Sequence, residues 1–223
     1  MTERGSPRES AASAPPPLIS RRFAVPPAGA VFAAALLAVV LVWSCISAML
    51  LTEFGFNYEQ PGGTPLSKIH PGTILAAGVL LAAVLATGRP IPWLEQSLSE
   101  RPGVAVFLVA TVAMMAHCII LIGAPFTTFI DTFVGPVLAY WLFKEISEAR
   151  AHALARVIHV VLAVNAIIGI GEFVTGSRLI PLWIGGELMT SDWRSSALFG
   201  HPLSNSSITG CYCVMVMLGG LCG

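Results

Sequence analysis

Charge is scarce in this chain. Charged residues make up only 11% of it, whereas a soluble globular domain carries about 25%. Hydrophobic residues make up 55%, and the mean hydropathy is +0.79. This composition excludes an ordinary soluble domain and predicts an integral membrane protein.

The common cofactor and metal motifs are also missing. The sequence contains no P-loop, dinucleotide fingerprint, zinc signature or internal repeat. The cysteines all lie in apolar segments without metal-ligand spacing, which is typical of small buried hydrophobic residues (Cys45, Cys118, Cys211, Cys213 and Cys222). We therefore expect no metal, no cofactor and no nucleic-acid partner.

Long hydrophobic runs are what the sequence does have. A bilayer core needs about 20 apolar residues per helix, and the runs lie near 28–51, 71–88, 103–122, 130–144, 156–174 and 205–222. They predict an all-α, polytopic membrane helix bundle of about six transmembrane helices over 28–223. Residues 1–27, rich in proline, serine and arginine, are predicted to form a disordered cytoplasmic tail.

The basic residues fall unevenly between the two sides that these runs define. The tail and the second and fourth loops hold most of them, leaving Lys68, Arg178 and Arg194 on the other side. The positive-inside rule then predicts a cytoplasmic N-terminus and exterior loops near 52–70, 123–130 and 175–204. The segments 52–70 and 89–102 are interpreted as connections, and 144–156 as a helical continuation with a charged, solvated face.

The exterior loop 175–204 holds the candidate binding residues. Arg194 is the leading phosphate ligand because a guanidinium fork binds oxyanions bidentately. Arg178 is a second cation, and His201 either binds substrate or caps the next helix. Glu172 and Asp192 are supporting residues that would orient or pair with the arginines.

Two polar residues inside the predicted spans invite either a functional or a structural interpretation. Asn165 shares one helix face with Gly169 and Glu172, at spacings of i, i+4 and i+7. Intramembrane polar groups are functional candidates, but Asn165 and His117 are interpreted first as plain interhelical hydrogen bonders.

The stretch from Arg194 to Asn205, Arg-Ser-Ser-Ala-Leu-Phe-Gly-His-Pro-Leu-Ser-Asn, resembles the bacterial O-antigen ligase and polymerase family. The preceding stretch 169–181 is similar to the family's passage from helix to loop, and the resemblance is specific over about 169–212. The family often has asparagine after this proline, where this chain has Leu203. Ser204 or Asn205 is therefore expected to cap the sixth helix.

The resemblance implies a multi-span inner-membrane glycosyltransferase that takes a glycan from undecaprenyl-pyrophosphate at the periplasmic face. It implies metal-independent transfer with inversion, arginines that bind the pyrophosphate, and a histidine base in a later loop. We expect this chain to be an N-terminal part that is inactive alone. The alternatives are half of a transporter or flippase, or a membrane scaffold. The glycan, the acceptor and the oligomeric state stay open.

Overall fold

The computed structural model describes residues 30–58, 62–123, 127–144, 146–184, 187–191 and 194–222. The predicted tail 1–27 and the supporting residue Asp192 lie outside the described residues. Within them the protein is mostly helical, as predicted.

Each predicted apolar run is mainly helical in the described chain, and further helical segments lie between the runs. They are α1 (Ala30–Cys45), α2 (Ala48–Glu53), α3 (Pro71–Ala86), α4 (Pro90–Glu100), α5 (Pro102–His117), α6 (Thr127–Phe129), α7 (Gly135–Phe143), α8 (Glu148–Thr175) and α9 (Pro202–Cys222). Wider π-helical turns extend α5 over Cys118–Ile122 and precede α7 over Ile130–Val134. Short 3-10 turns occur at Pro65–Lys68 and Ala197–Phe199.

Two of the helical segments in the described chain are long and apolar enough to cross a membrane. They are Pro102–Ile122 and Glu148–Thr175, and α3 with α4 makes a third if that bent pair counts as one span. Shorter apolar helices lie at Ala30–Cys45 and Ile130–Phe143. These lengths and compositions indicate a membrane protein with two or three apolar helices of spanning length.

Three local predictions need correction. The first run is divided at residues 46–47, because the Ser47 hydroxyl accepts a hydrogen bond from the Leu50 amide and starts a new helix.

The supposed connection 89–102 is mostly α4, bent by 112° from α3. Pro90 favours this start because its fixed φ suits the first helical turn. The long loop contains a minimal antiparallel pair of strands, β1 (Trp183–Ile184) and β2 (Glu187–Leu188), so the fold is not purely helical.

The main core lies where α1, α3, α4 and α7 meet. Its buried members are Leu36, Val39, Ala76, Leu80, Val84, Trp93 and Leu142. Trp93 also makes an edge contact with Trp141 at 5.9 Å between ring centroids. By contrast, α5 exposes large apolar side chains such as Val106, Val109 and Val112, as a helix surrounded by lipid would.

The segment 144–156 behaves as predicted. It is helical from Glu148 onward and continues directly into the long helix α8. Glu148 and His152 approach to 3.6 Å, and both side chains are largely exposed. The prediction of a charged, solvated face is therefore confirmed at this pair.

Candidate functional site

One carboxylate at the end of α8 holds the long loop 176–201 in place. Glu172 is only 7% exposed, and its Oε1 accepts a hydrogen bond from the Leu179 amide at 2.7 Å. Its Oε2 accepts from the Ser195 hydroxyl at 2.8 Å and from the amides of Ser196 and Ala197 at 3.0 and 2.9 Å. Both ends of the loop are therefore tied to a single side chain.

Asn165, two turns earlier on the same face of α8, ties the loop to α9. Its Oδ1 accepts from the Leu198 amide at 3.0 Å, and its Nδ2 donates to Asn205 Oδ1 at 2.8 Å. Asn205 Nδ2 in turn donates to the Ser195 carbonyl at 3.4 Å. The structural interpretation of Asn165 as an interhelical hydrogen bonder is confirmed by these contacts.

The segment 195–200 is pressed closely against its neighbours. A Cβ added at Gly169 would lie 3.1 Å from Ser195 Oγ, so the glycine lets this segment approach α8. Gly200 has a φ of +71°, and a Cβ there would lie 2.5 Å from Ser47 Oγ. The Gly-His-Pro corner therefore rests on the break between α1 and α2.

A groove of about 450 Å³ opens between α8 and α9 beside this segment. One part of its lining is polar, with Asn165, Ser195 and Asn205, and another part is apolar, with Phe173 and Leu203. Arg194, whose side chain is exposed, also lines the groove. The groove thus combines a cation, hydrogen-bonding groups and an apolar wall.

Arg178 is directed toward the backbone of the same loop. Its Nε and Nη2 donate to the Arg194 carbonyl at 3.2 and 3.1 Å, and its Nη1 donates to the Met189 carbonyl at 3.2 Å. The structure therefore brings the two predicted arginines together. The carboxylate of Glu172 binds the loop's amides and a hydroxyl, and so fixes the segment that carries Arg194.

His201 caps α9, which was one of its two predicted roles. Its Nδ1 accepts from the Leu203 amide at 3.2 Å, and the helix begins at Pro202. The prediction that Ser204 or Asn205 would cap this helix is wrong, because the His-Pro pair starts it earlier. With Nδ1 accepting, the neutral ring carries its proton on Nε2, which is then a donor.

A second cluster at a His-Pro helix start was missed by the sequence reasoning. Asp131 Oδ2 accepts from the Tyr58 hydroxyl at 2.7 Å and from the His70 amide at 2.8 Å. His70 Nε2 lies 2.6 Å from the Ile46 carbonyl, and Nδ1 accepts from the Gly72 amide at 3.0 Å. The repeated His-Pro dipeptide at 70–71 was the available signal, but nothing in the sequence linked it to Asp131.

Within the described part of the chain, no group of three or more His, Cys, Asp or Glu side chains could hold a metal ion. No family model, curated protein or solved structure matches this chain. Function must therefore be argued from the chemistry of the groove and its loop.

Proposed function

We propose that the groove between α8 and α9 binds the pyrophosphate of a polyprenyl-linked glycan. The chain would then be part of an inner-membrane glycan transferase similar to the O-antigen ligases and polymerases. The main support for this proposal is that a single groove of about 450 Å³ is lined both by the exposed Arg194 and by an apolar wall. A lipid carrier with an anionic head needs this combination.

The apolar wall suits the hydrocarbon part of such a carrier. Ile170, Phe173 and Leu203 line the groove and are 65%, 79% and 59% exposed. Because α8 is a helix of spanning length, lipid chains cover these side chains when the groove is empty, and a polyprenyl chain can take their place without exposing apolar surface to water. The polar groups of Asn165 and Asn205 are already hydrogen-bonded to each other, so they shape this part of the groove.

The cations suit the diphosphate. Arg194 presents a permanently charged fork, which matches phosphate geometry and stabilises the charge on the pyrophosphate as it leaves. Arg178 is the weaker second ligand, because its guanidinium already donates hydrogen bonds to the Arg194 carbonyl. These bonds fix the backbone that carries Arg194, the first ligand. His201 Nε2–H is a donor for a phosphate or sugar oxygen. In the transfer, the oxygen of an acceptor hydroxyl bonds to the anomeric carbon while the bond to the pyrophosphate oxygen breaks. Undecaprenyl-pyrophosphate leaves on the arginines, and the hydroxyl proton passes to the histidine base that the resemblance implies in a later loop.

The proposal includes the topology of six spans with a cytoplasmic N-terminus and a periplasmic loop 176–201. The basic residues support the cytoplasmic N-terminus, and two contacts at one end of the bundle support the placement of both loops on one side of the membrane. His70 Nε2 meets the carbonyl of Ile46, and Gly200 closely approaches Met49. The loops 54–70 and 176–201 therefore lie at the same end, as this topology requires.

The test is undecaprenyl-pyrophosphate binding to the purified protein in lipid nanodiscs. Arg194→Ala should weaken binding by about 10- to 100-fold, because a hydrogen bond to a charged group contributes about 1.5–3 kcal/mol. Arg194→Lys should lie between, since it keeps the charge and loses the fork.

The matched control is Lys68→Ala, which removes a cation from the other loop at the same end and should leave binding unchanged. Undecaprenyl monophosphate is the second probe. The loss of affinity from the parent protein to the Arg194 variants should be smaller for this probe than for the pyrophosphate. If Arg194→Ala binds the pyrophosphate as well as the parent protein does, Arg194 is only an interfacial anchor and the proposal is wrong.

A further inference from the structure

A second groove lies between α1 and α8, away from the loop that carries Arg194. It encloses about 260 Å³, and its lining includes Ala33, Ala34 and Leu37 of α1 with Arg150, Ala153 and Val157 of α8. The groove forms because the short side chains of its alanines leave a gap between the two apolar helices. Arg150 is the charged member of this lining.

Arg150 stands at one end of the groove. The α8 residues Arg150, Ala153 and Val157 share one helix face, at i, i+3 and i+7. With a rise of about 1.5 Å per residue, they span roughly 10 Å along the axis. The groove therefore runs from a cation in the first turns of α8 toward the middle of an apolar helix of spanning length.

Arg150 has no acidic partner among the described residues. Among the described residues, no carboxylate lies within ion-pairing distance of its guanidinium. The side chain is half-buried and lines the groove. A cation at the end of an apolar slot fits a molecule with an anionic head and a hydrocarbon tail.

We infer that this groove binds an anionic phospholipid, with its phosphate on Arg150 and part of one acyl chain between α1 and α8. The volume suits a segment of a chain, because it lies just below the range of about 300–1,000 Å³ typical of whole-ligand pockets. The inference rests on the membrane location of α1 and α8 and not on glycan transfer. Pyrophosphate binding at Arg194 and lipid binding at Arg150 can therefore fail separately.

The experiment is photolabelling in vesicles of phosphatidylcholine and phosphatidylglycerol, with a diazirine on the acyl chain of either lipid. Labelled phosphatidylglycerol should form adducts that map to residues 33–37 and 150–157. Labelled phosphatidylcholine should give about tenfold fewer adducts there, because its choline cation cancels the charge of its phosphate and weakens the attraction to Arg150.

Arg150→Gln should lower labelling by phosphatidylglycerol to the level of phosphatidylcholine. Arg156→Gln is the matched control, because Arg156 is exposed on the same helix and does not line the groove. Ala153→Leu keeps the charge but fills the slot, and should also remove the adducts while the protein keeps its melting temperature.

Equal labelling by the two lipids would overturn the inference, since the groove would then be ordinary lipid-facing surface. Equal losses in the Arg150 and Arg156 variants would overturn it too, because they would indicate general attraction to a basic face.

Discussion

Two loops at the same end of the bundle share the same type of helix start and differ in the hydrogen bonds that fix them. The loops 54–70 and 176–201 both end in a histidine followed by a proline that starts a helix. In both, the histidine Nδ1 accepts from the amide two residues on, at 3.0 and 3.2 Å. In both, a carboxylate from another part of the chain fixes the loop.

The difference lies in what each carboxylate binds. Glu172 uses both oxygens to accept from loop groups, including the fully buried amides of Ser196 and Ala197. Asp131 uses Oδ2 for the Tyr58 hydroxyl and the His70 amide, whereas its Oδ1 is buried without a hydrogen-bond partner in the described structure. Glu172 therefore fixes three backbone amides of its loop whereas Asp131 fixes one, and a fixed backbone would preorganise Arg194 for the ligand that we propose.

The largest expected difference comes from removing the two carboxylates. Glu172→Ala leaves buried amides of Ser196 and Ala197 without an acceptor, and each such group costs about 1–3 kcal/mol. We expect Glu172→Ala to destabilise the protein by about 3 kcal/mol or more, and Asp131→Ala by about 1 kcal/mol, because its partners are only partly buried. The measurement is thermal unfolding in detergent.

Glu148→Ala is the control for the first of these changes, since that side chain is 91% exposed on the same helix. It should melt with the parent protein. Comparable losses of stability in the Glu172 and Asp131 variants would contradict the distinction between a carboxylate that binds three backbone amides and one that binds a single amide.

The second difference concerns glycines with positive φ in the two loops. Gly62 has a φ of +82°, and nothing lies within 4 Å of a Cβ added there. Gly200 has a φ of +71°, and a Cβ added there would lie 2.5 Å from Ser47 Oγ and 2.9 Å from Met49 Cβ. Gly62→Ala should cost about 1–2 kcal/mol from backbone strain. Gly200→Ala should cost about 1–3 kcal/mol more from overpacking.

The same melting experiment separates these two contributions. Gly78→Ala serves as the reference, because Gly78 is helical and has open space around its Cβ position. It should be neutral or slightly stabilising. Equal effects at Gly62 and Gly200 would show that the Gly-His-Pro corner is not tightly seated on the break between α1 and α2.

Hydrophobic runs were enough to predict most of the helices, because apolar length is a local property of the sequence. The same runs could not predict that Ser47 divides the first helix or that residues 90–100 form a helix across the end of α3. Both features depend on capping and on packing against Trp141 and other distant residues, for which the apolar pattern carries no signal.

The candidate site was predicted in part for the same reason. Periodicity placed Asn165 and Glu172 on one helix face, and both point at the loop as a shared face requires. The partners of Glu172 are mainly backbone amides, which every residue has, so no residue type in the sequence marks them. The Asp131 cluster joins groups 61 and 73 residues apart, which a single sequence cannot pair.

The smallest expected difference separates the two histidines themselves. Asparagine is a good N-cap, so replacing either histidine keeps an acceptor for the helix amide. His201→Asn should therefore change stability by less than about 0.5 kcal/mol. His70→Asn also loses the 2.6 Å contact of Nε2 with the Ile46 carbonyl and the edge contact with the Tyr58 ring, and should cost about 1 kcal/mol.

Melting of both variants checks this order, and binding of undecaprenyl-pyrophosphate adds a second measurement. His70→Asn should bind the carrier normally, whereas His201→Asn should bind it a few-fold more weakly if Nε2–H contacts the ligand. A His201 variant that is normal in both measurements would reduce His201 to a helix cap, and would leave Arg194 as the residue that distinguishes the two loops.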